Sequence, residues 1–358
     1  MHVVISKRAA SHNQIMNKML IFNSIGHFYM SLRVNDTVDT DSFLPVKTVT
    51  KRFKSKKQVL NQKVIYVYCP EDRELGIGEI IDDYSFDMVV NDYSITDLSC
   101  KVICHFESAR LTKEQRQFLV KATELGAWIE PLVSYLDERL GYTEVRLLHS
   151  GYFLHQKAFS ILSTKRTQLA KRIIDLFSAF LLCSVAIPVG LITALAIKLE
   201  SPGPVFYKQR RTGQYNDEFE VIKFRSMRND AEKSGAQWAS QNDTRVTKVG
   251  NFIRKTRIDE LPQIINILKG EMSIVGPRPE REVFIAELEK EIPYYRFRHA
   301  VKPGVTGLAQ VSYPYGASVE DAIWKHKYDI YYIKHHSSLL DIKILLKTVK
   351  VVLFGMGR

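Results

Sequence analysis

Leu176-Phe177-Ser178-Ala179-Phe180-Leu181-Leu182-Cys183-Ser184-Val185-Ala186-Ile187-Pro188-Val189-Gly190-Leu191-Ile192-Thr193-Ala194-Leu195-Ala196-Ile197 contains no charged residue. A run of this length is enough to cross the hydrocarbon core of a bilayer as a helix. Pro188 lies near its middle, where it removes a helical hydrogen bond and kinks the chain. Cations flank the run on both sides: Lys165, Arg166, Lys171 and Arg172 before it, and Lys198, Lys208, Arg210 and Arg211 after it. Lysine and arginine beside a membrane helix prefer the cytoplasmic side. One straight span would therefore strand one cluster outside. The pattern predicts a re-entrant helix-break-helix over 165–200, broken at Pro188, that enters and leaves a single leaflet. A true span is the alternative. A buried soluble helix is disfavoured by length and by the absence of charge.

The rest of the composition is compatible with this. The chain has 358 residues, formal charge +12 and four cysteines. The length suits about two domains. The charge implies an anionic partner such as a phosphorylated substrate or a phospholipid surface. Cysteines at 69, 100, 104 and 183 complete neither a zinc set nor a disulfide scaffold, and suit a reducing compartment. The Met19–Ile25 stretch is too short for a signal peptide and is interrupted by Asn23. Residues 1–60 give weak signals. The basic run at 47–57 reads as a solvated linker, with contact to anionic lipid as its alternative.

From 61 to 150 the sequence predicts an α/β module, Rossmann-like with a small parallel sheet. Strands are expected at Val64–Tyr68, Met88–Val90 and Val102–Cys104, with a further one starting at Trp128. Lys113–Leu125 reads as an amphipathic helix with Phe118, Leu119 and Leu125 on its apolar side, stopped by Gly126. Gly76-Ile77-Gly78 follows the first strand, but Ile81 stands where a dinucleotide fingerprint needs glycine. No dinucleotide site is expected. Residues 134–160 read as a Tyr- and Leu-rich connector.

Downstream, Asp259-Glu260-Leu261-Pro262-Gln263 places two carboxylates between arginines, just ahead of a proline suited to a first helical turn. Carboxylates at such an end stay ionised. An ionised Asp serves as a nucleophile or metal ligand, and an adjacent Glu shares a hard cation. Nearby arginines bind phosphate oxygens. The residues point to phosphoryl chemistry; a capped surface helix with solvated charges is the plain alternative.

Seven motifs in order widen this. They are Lys171-Arg172-Ile173-Ile174-Asp175, Ser201-Pro202-Gly203-Pro204-Val205-Phe206, Lys223-Phe224-Arg225-Ser226-Met227, Asp259-Glu260-Leu261-Pro262-Gln263, Leu268-Lys269-Gly270-Glu271-Met272-Ser273, Gly276-Pro277-Arg278-Pro279 and Lys302-Pro303-Gly304-Val305-Thr306-Gly307. Together, over about 170–358, they resemble the bacterial sugar transferase family. Its members are polyprenyl-phosphate hexose-1-phosphate transferases, or monotopic phosphoglycosyl transferases.

The resemblance implies a mainly helical α+β catalytic domain over 201–358. It implies transfer of a sugar-1-phosphate from a UDP-sugar to polyprenyl (undecaprenyl) phosphate, releasing UMP. Asp259 would be the attacking group, forming a phosphosugar–aspartyl intermediate, with Glu260 beside it and Mg²⁺ held by both. Lys223, Arg254 and Arg278 would bind phosphate, with Asp329 and Gln310 in support. Membrane lipid would be a partner, a homodimer is compatible, and no nucleic acid is expected. The site would face the cytoplasm at the bacterial inner membrane, at the first membrane step of exopolysaccharide assembly. Departures from the family pattern are Leu308 for Trp, Ser312-Tyr313 for Asn-Gly, and Ile187 for Ser before the proline. The first two leave the donor sugar open. His299, His326, His335 and His336 read as packing or surface residues rather than bases. A basic scaffold or nucleic-acid binder is disfavoured because the cations sit among Gly-Pro turns and carboxylates. A phosphohydrolase, with water in place of the lipid, is a further alternative.

Overall fold

A computed structural model describes residues 64–99, 101–154, 159–231, 243–314, 316 and 318–353. The expectations for 1–60, for the basic run at 47–57 and for Cys100 lie outside these residues.

Four parallel strands open the described chain: β1 (Ile65–Tyr68), β2 (Met88–Val90), β3 (Val102–His105) and β4 (Trp128–Pro131), in the order β2-β1-β3-β4. Parallel pairing requires crossovers. Helix α1 (Glu74–Tyr84) links β1 to β2, and α2 (Lys113–Glu124) links β3 to β4. Thr112 and Gln115 form a capping box at the start of α2. Gly126 follows its end in the left-handed region at φ +89°. Leu125 is 44 % exposed rather than on the buried side, because it caps the helix. Gly76 and Gly78 lie inside α1, where a Cβ at either would meet nothing within 4 Å. The expected connector instead begins as helix α3 (Leu132–Leu140), with Leu132, Val133, Tyr135 and Leu136 buried.

Helix α4 (Lys165–Glu200) is long and apolar enough to cross a membrane by length and composition. It runs unbroken through Pro188, so the expected helix break is a proline inside a continuous helix. Proline costs one hydrogen bond. Unwinding further would leave more backbone groups unpaired among apolar side chains. Ser184 and Thr193 turn their hydroxyls back onto the carbonyls of Leu181 and Val189 at 2.7 and 2.8 Å. One stripe of α4 is covered, through Lys171, Asp175, Ala179, Thr193 and Ile197, while Phe177, Phe180, Leu191 and Ile192 on the other faces are each at least 70 % exposed. Two of the flanking cations serve the fold. Lys171 pairs with buried Asp341 at 2.8 Å, and Arg172 donates to the carbonyls of Ile267 and Leu268.

After α4 come an antiparallel hairpin, β5 (Phe206–Thr212) with β6 (Glu218–Phe224), and helix α5 (Lys248–Lys255). A 3₁₀ turn, Ile258–Gln263, leads into α6 (Ile264–Lys269). Strands β7 (Ser273–Val275) and β8 (Gly304–Thr306) pair in parallel, with α7 (Glu282–Glu291) between them. A Cβ at Gly304 would lie 2.1 Å from the Gly276 nitrogen, so these two backbones meet only without one. Helices α8 (Val319–Lys334) and α9 (Ser338–Leu353) complete the described chain.

One continuous apolar cluster joins the module to the rest, from Val67 and Leu136 to Ile274, Ile333 and Ile344. Buried ion pairs reinforce it. Lys327 on α8 bonds Glu144 at 2.9 Å, and Lys334 bonds Asp137 at 2.7 Å. Burial would raise the Glu144 carboxyl, but Arg146, Tyr84 and Lys327 hold it down at about 2. Breaking such a pair from one side costs about 3 kcal/mol, since a charge stays buried. We expect Lys327→Met to lower the thermal midpoint of the detergent-solubilised protein, and the double variant Glu144→Met/Lys327→Leu to lower it less.

Candidate functional site

The catalytic candidate sits on the 3₁₀ turn. Arg257 precedes it in the left-handed region at φ 59°, and Pro262 lies within it. The sequence expectation put Asp259 and Glu260 at the cap just ahead of Pro262, with a solvated surface cap as the alternative. They lie inside the turn instead, 8 % and 6 % exposed, because β6 packs along it. Buried Asn266 fixes that packing. Its side-chain oxygen accepts from the Ile222 nitrogen at 3.1 Å, and its amide donates to the Glu220 carbonyl at 2.7 Å. This sets Lys223 opposite the carboxylates.

The two carboxylates differ. Glu260 is bound by Arg278 at 2.6 Å and Lys223 at 3.1 Å, with Arg257 at 3.9 Å. Burial would raise it, but Arg278 and Lys223 hold it well below the usual carboxylate range. Among the described residues the Asp259 carboxylate makes no hydrogen bond or ion pair. Burial first, and then the charge of Glu260, push its carboxyl up to about 6. Both groups are therefore mostly ionised at neutral pH, as the helix end leads one to expect, but Asp259 takes up its proton at a much higher pH than Glu260. Adjacent acids with opposite shifts mark a division of labour.

A cleft lined by Arg211, Val221, Lys223, Gln263, Arg278 and Pro279 opens beside the pair. Its cations suit phosphate oxygens. Arg211 and Arg257 are additional basic groups here. In sequence Arg211 reads as a membrane-flanking cation, and only its place on β5 opposite Phe219 brings it to the cleft. Arg254 departs from expectation. Among the described residues it has no hydrogen bond or ion pair to either carboxylate, because the left-handed residue at 257 turns the chain after α5; its charge adds to the lowering of Asp243, which Arg245 chiefly produces.

Asp329 does not reach the pair directly. It binds Arg298 at 2.9 Å, and Arg298 donates to the Arg278 carbonyl at 2.9 Å. It therefore holds the loop that carries Arg278. Gln310 donates to the Val305 carbonyl at 3.1 Å, beneath the β7–β8 junction and away from the cleft. Leu308 is buried in the core and Tyr313 stacks on Trp324, so neither lines the cleft. Burial pushes His299 and His326 down to about 3, and His335 and His336 rest on Asp137 and Asp341.

Among the described residues no group of three His, Cys, Asp or Glu side chains converges. Two adjacent carboxylates beside a cation-lined cleft suit Mg²⁺, which takes one or two protein carboxylates and completes its shell with phosphate and water. Asp259 has free lone pairs for it, whereas the oxygens of Glu260 are shared with cations.

The sequence profile described as bacterial sugar transferase matches residues 166–355. A UDP-N-acetylgalactosamine-undecaprenyl-phosphate N-acetylgalactosaminephosphotransferase of Aeromonas hydrophila is 46% identical over 256 residues, covering 72% of this chain and 59% of that protein. A UDP-glucose:undecaprenyl-phosphate glucose-1-phosphate transferase of Escherichia coli K12 is 45% identical over 184 residues, covering 51% and 40%. One of the same description from Caulobacter vibrioides is 41% identical over 234 residues, covering 64% and 88%. The chain thus spans well under two thirds of the length of the Aeromonas and Escherichia relatives.

The raised Asp259 carboxyl has a stability consequence. The folded protein binds its proton more tightly than the unfolded chain, so ionised Asp259 costs the fold above about pH 6, and the cost vanishes below the ordinary value of 3.8. We expect Asp259→Asn to stabilise the protein by about 3 kcal/mol at pH 7.5, with the gain disappearing by pH 4. Thermal melts across pH measure it.

Proposed function

The chain belongs to the bacterial sugar transferase family, and from that premise we propose that it transfers a sugar-1-phosphate from a UDP-sugar to polyprenyl phosphate. The observation that carries this is the unpartnered Asp259 beside a Glu260 already saturated with cations. A nucleophile needs a free lone pair, and a phosphate ligand needs fixed positive charge.

In this reading the donor diphosphate binds across the mouth of the narrow cleft of Arg211, Lys223 and Arg278, which itself encloses only about 10 Å³. An Asp259 oxygen attacks the phosphorus that bears the sugar. The bond from that phosphorus to the bridging oxygen breaks, and UMP departs with the bridging oxygen. An oxygen of the lipid phosphate then attacks the same phosphorus and displaces the Asp259 carboxylate, giving polyprenyl-diphospho-sugar. Mg²⁺ would be held by Asp259, the carboxylate left free, rather than by the expected pair, because Glu260 is taken up by Arg278 and Lys223; it would supply neutralising charge to the diphosphate. Asp329 and Arg298 keep Arg278 in place.

The membrane arrangement in this proposal is monotopic and re-entrant, with the helix kept continuous and bent, rather than ended, at Pro188. Its support is that α4 packs on the same body before and after Pro188, through Asp175 to Ser273 and through Ile197 to Phe224 and Ile253. A straight span would drag that body into lipid. Helix α9 supports an interfacial seat: Leu339, Ile342, Leu346 and Val349 are exposed, with Lys343, Lys347 and Lys350 exposed among them. The cytoplasmic leaflet of the inner membrane, where the nucleotide sugar is made, is the proposed location.

The test is UMP release by protein in lipid nanodiscs with Mg²⁺, undecaprenyl phosphate and a panel of UDP-sugars. One donor is expected to give lipid-dependent UMP. Asp259→Asn should lower kcat by at least about 10³-fold, and kcat/KM should fall as pH drops through about 6, where Asp259 takes up its proton. Full activity of Asp259→Asn would sink the nucleophile assignment. Cysteines placed at Thr164 and Pro204 should be labelled from the same side of sealed spheroplasts; labelling from opposite sides would mean a span.

A further inference from the structure

A second concavity lies away from the phosphate cleft, between the C-terminal half of α4 and helix α5. It encloses about 390 Å³ and is lined by Ile192, Thr193 and Ala196 on one side and by Val249, Phe252 and Ile253 on the other. That volume is within the range of small-molecule pockets. Its surface offers almost nothing polar to bind. The Thr193 hydroxyl is spent on the Val189 carbonyl, and Lys248 is the one charged lining residue. Phe252 and Ile192 are 62 % and 71 % exposed, so the walls are apolar surface left uncovered.

The floor of the groove connects to the chemistry. Ile253 packs in one cluster with Ile197 and Phe224, and Ile258 and Leu261 pack against that cluster. Those two residues bracket Asp259 and Glu260 on the 3₁₀ turn. Phe224 follows Lys223 on β6, so one strand presents its cation to the phosphate cleft and its aromatic ring to the groove floor. The two sites share a strand and a turn.

We propose that this groove holds the isoprenoid chain of the lipid acceptor, with the phosphate-proximal end of the chain at Ile253. The proposal rests on the transferase reading for the identity of the acceptor. An apolar, unbranched channel walled on one side by the membrane helix suits a chain entering from the bilayer. Its contact with the catalytic turn distinguishes a reacting lipid from a bulk phospholipid, which has no reason to be delivered there. The groove would sort acceptors by chain, while the cations sort by phosphate.

The test uses the full chain in nanodiscs with a polyprenyl phosphate bearing a diazirine near its phosphate end, and no donor. Label is expected within 189–197 and 248–255, competed by unlabelled polyprenyl phosphate and lost in Ala196→Trp, which fills the groove. Label confined to other segments, or competition by phosphatidylglycerol as effective as by polyprenyl phosphate, overturns the proposal. A chain-length series of acceptors supplies the second arm. Ala196→Trp and Phe252→Ser should each lose about tenfold of the preference for long over short chains in kcat/KM, with the KM for the UDP-sugar unchanged. If the wild-type protein releases UMP and both variants keep the full preference, the groove assignment falls and the transferase reading stands. If label maps to the groove but no donor yields lipid-dependent UMP, the transferase reading falls and the groove remains a polyprenyl-phosphate site.

Discussion

Arg278 reaches Glu260 at 2.6 Å, and most of the site hangs on that contact. A carboxylate this buried stays ionised only because Arg278 and Lys223 supply charge at hydrogen-bonding distance. Burial first, and then the charge of Glu260, raise the carboxyl of its neighbour Asp259 to about 6. Arg278 is itself held through its carbonyl by Arg298, which is held by Asp329 on α8. Asn266 performs the corresponding service for Lys223 from the other side. The site is thus a pair of cations aimed at one acid, each fixed by a buried polar residue distant in sequence.

That arrangement explains what the sequence made legible. Val64–Tyr68 and Val102–Cys104 read as strands because runs buried on both faces are nearly all apolar, and Met88–Val90, a half-exposed edge strand, reads as one from its β-branched run. Asp259, Glu260, Lys223 and Arg278 were recoverable from motifs and meet in space. Arg254, not Arg257, was the arginine expected to bind phosphate, but the left-handed turn at 257 brings Arg257 within 3.9 Å of Glu260 instead. Arg211 looked like a membrane flank because its neighbours Lys208 and Arg210 are exposed, whereas strand alternation turns it inward. Asn266 and Arg298 gave no local signal at all. Their value comes from partners 44 and 31 positions away.

Helix α4 shows the same limit in another form. Hydropathy marks the segment, and the cation clusters at its ends suggest lipid headgroups. Lys171 and Arg172 are instead consumed by Asp341 and by the C-terminal carbonyls of α6, where positive charge meets the negative helix end. The stripe of Lys171, Asp175, Ala179, Thr193 and Ile197 recurs at helical spacing, but within a segment so apolar a contact face and a lipid face have nearly the same composition. Proline likewise reads as a break, yet the helix carries it.

The two lysines of α8 that enter the N-terminal module constrain how such a chain can be shortened or assembled. Lys327 and Lys334 are each less than 10 % exposed at the side chain, and their counter-ions Glu144 and Asp137 belong to the segment before α4. A fragment starting at α4 would uncover an apolar surface together with two ammonium groups whose positions were set for absent carboxylates. The residues at 327 and 334 therefore act as a record of the module: a family member without one has to solve that face of α8 with different chemistry, and transplanting this catalytic region onto another amino-terminal domain means replacing those two positions along with the linker.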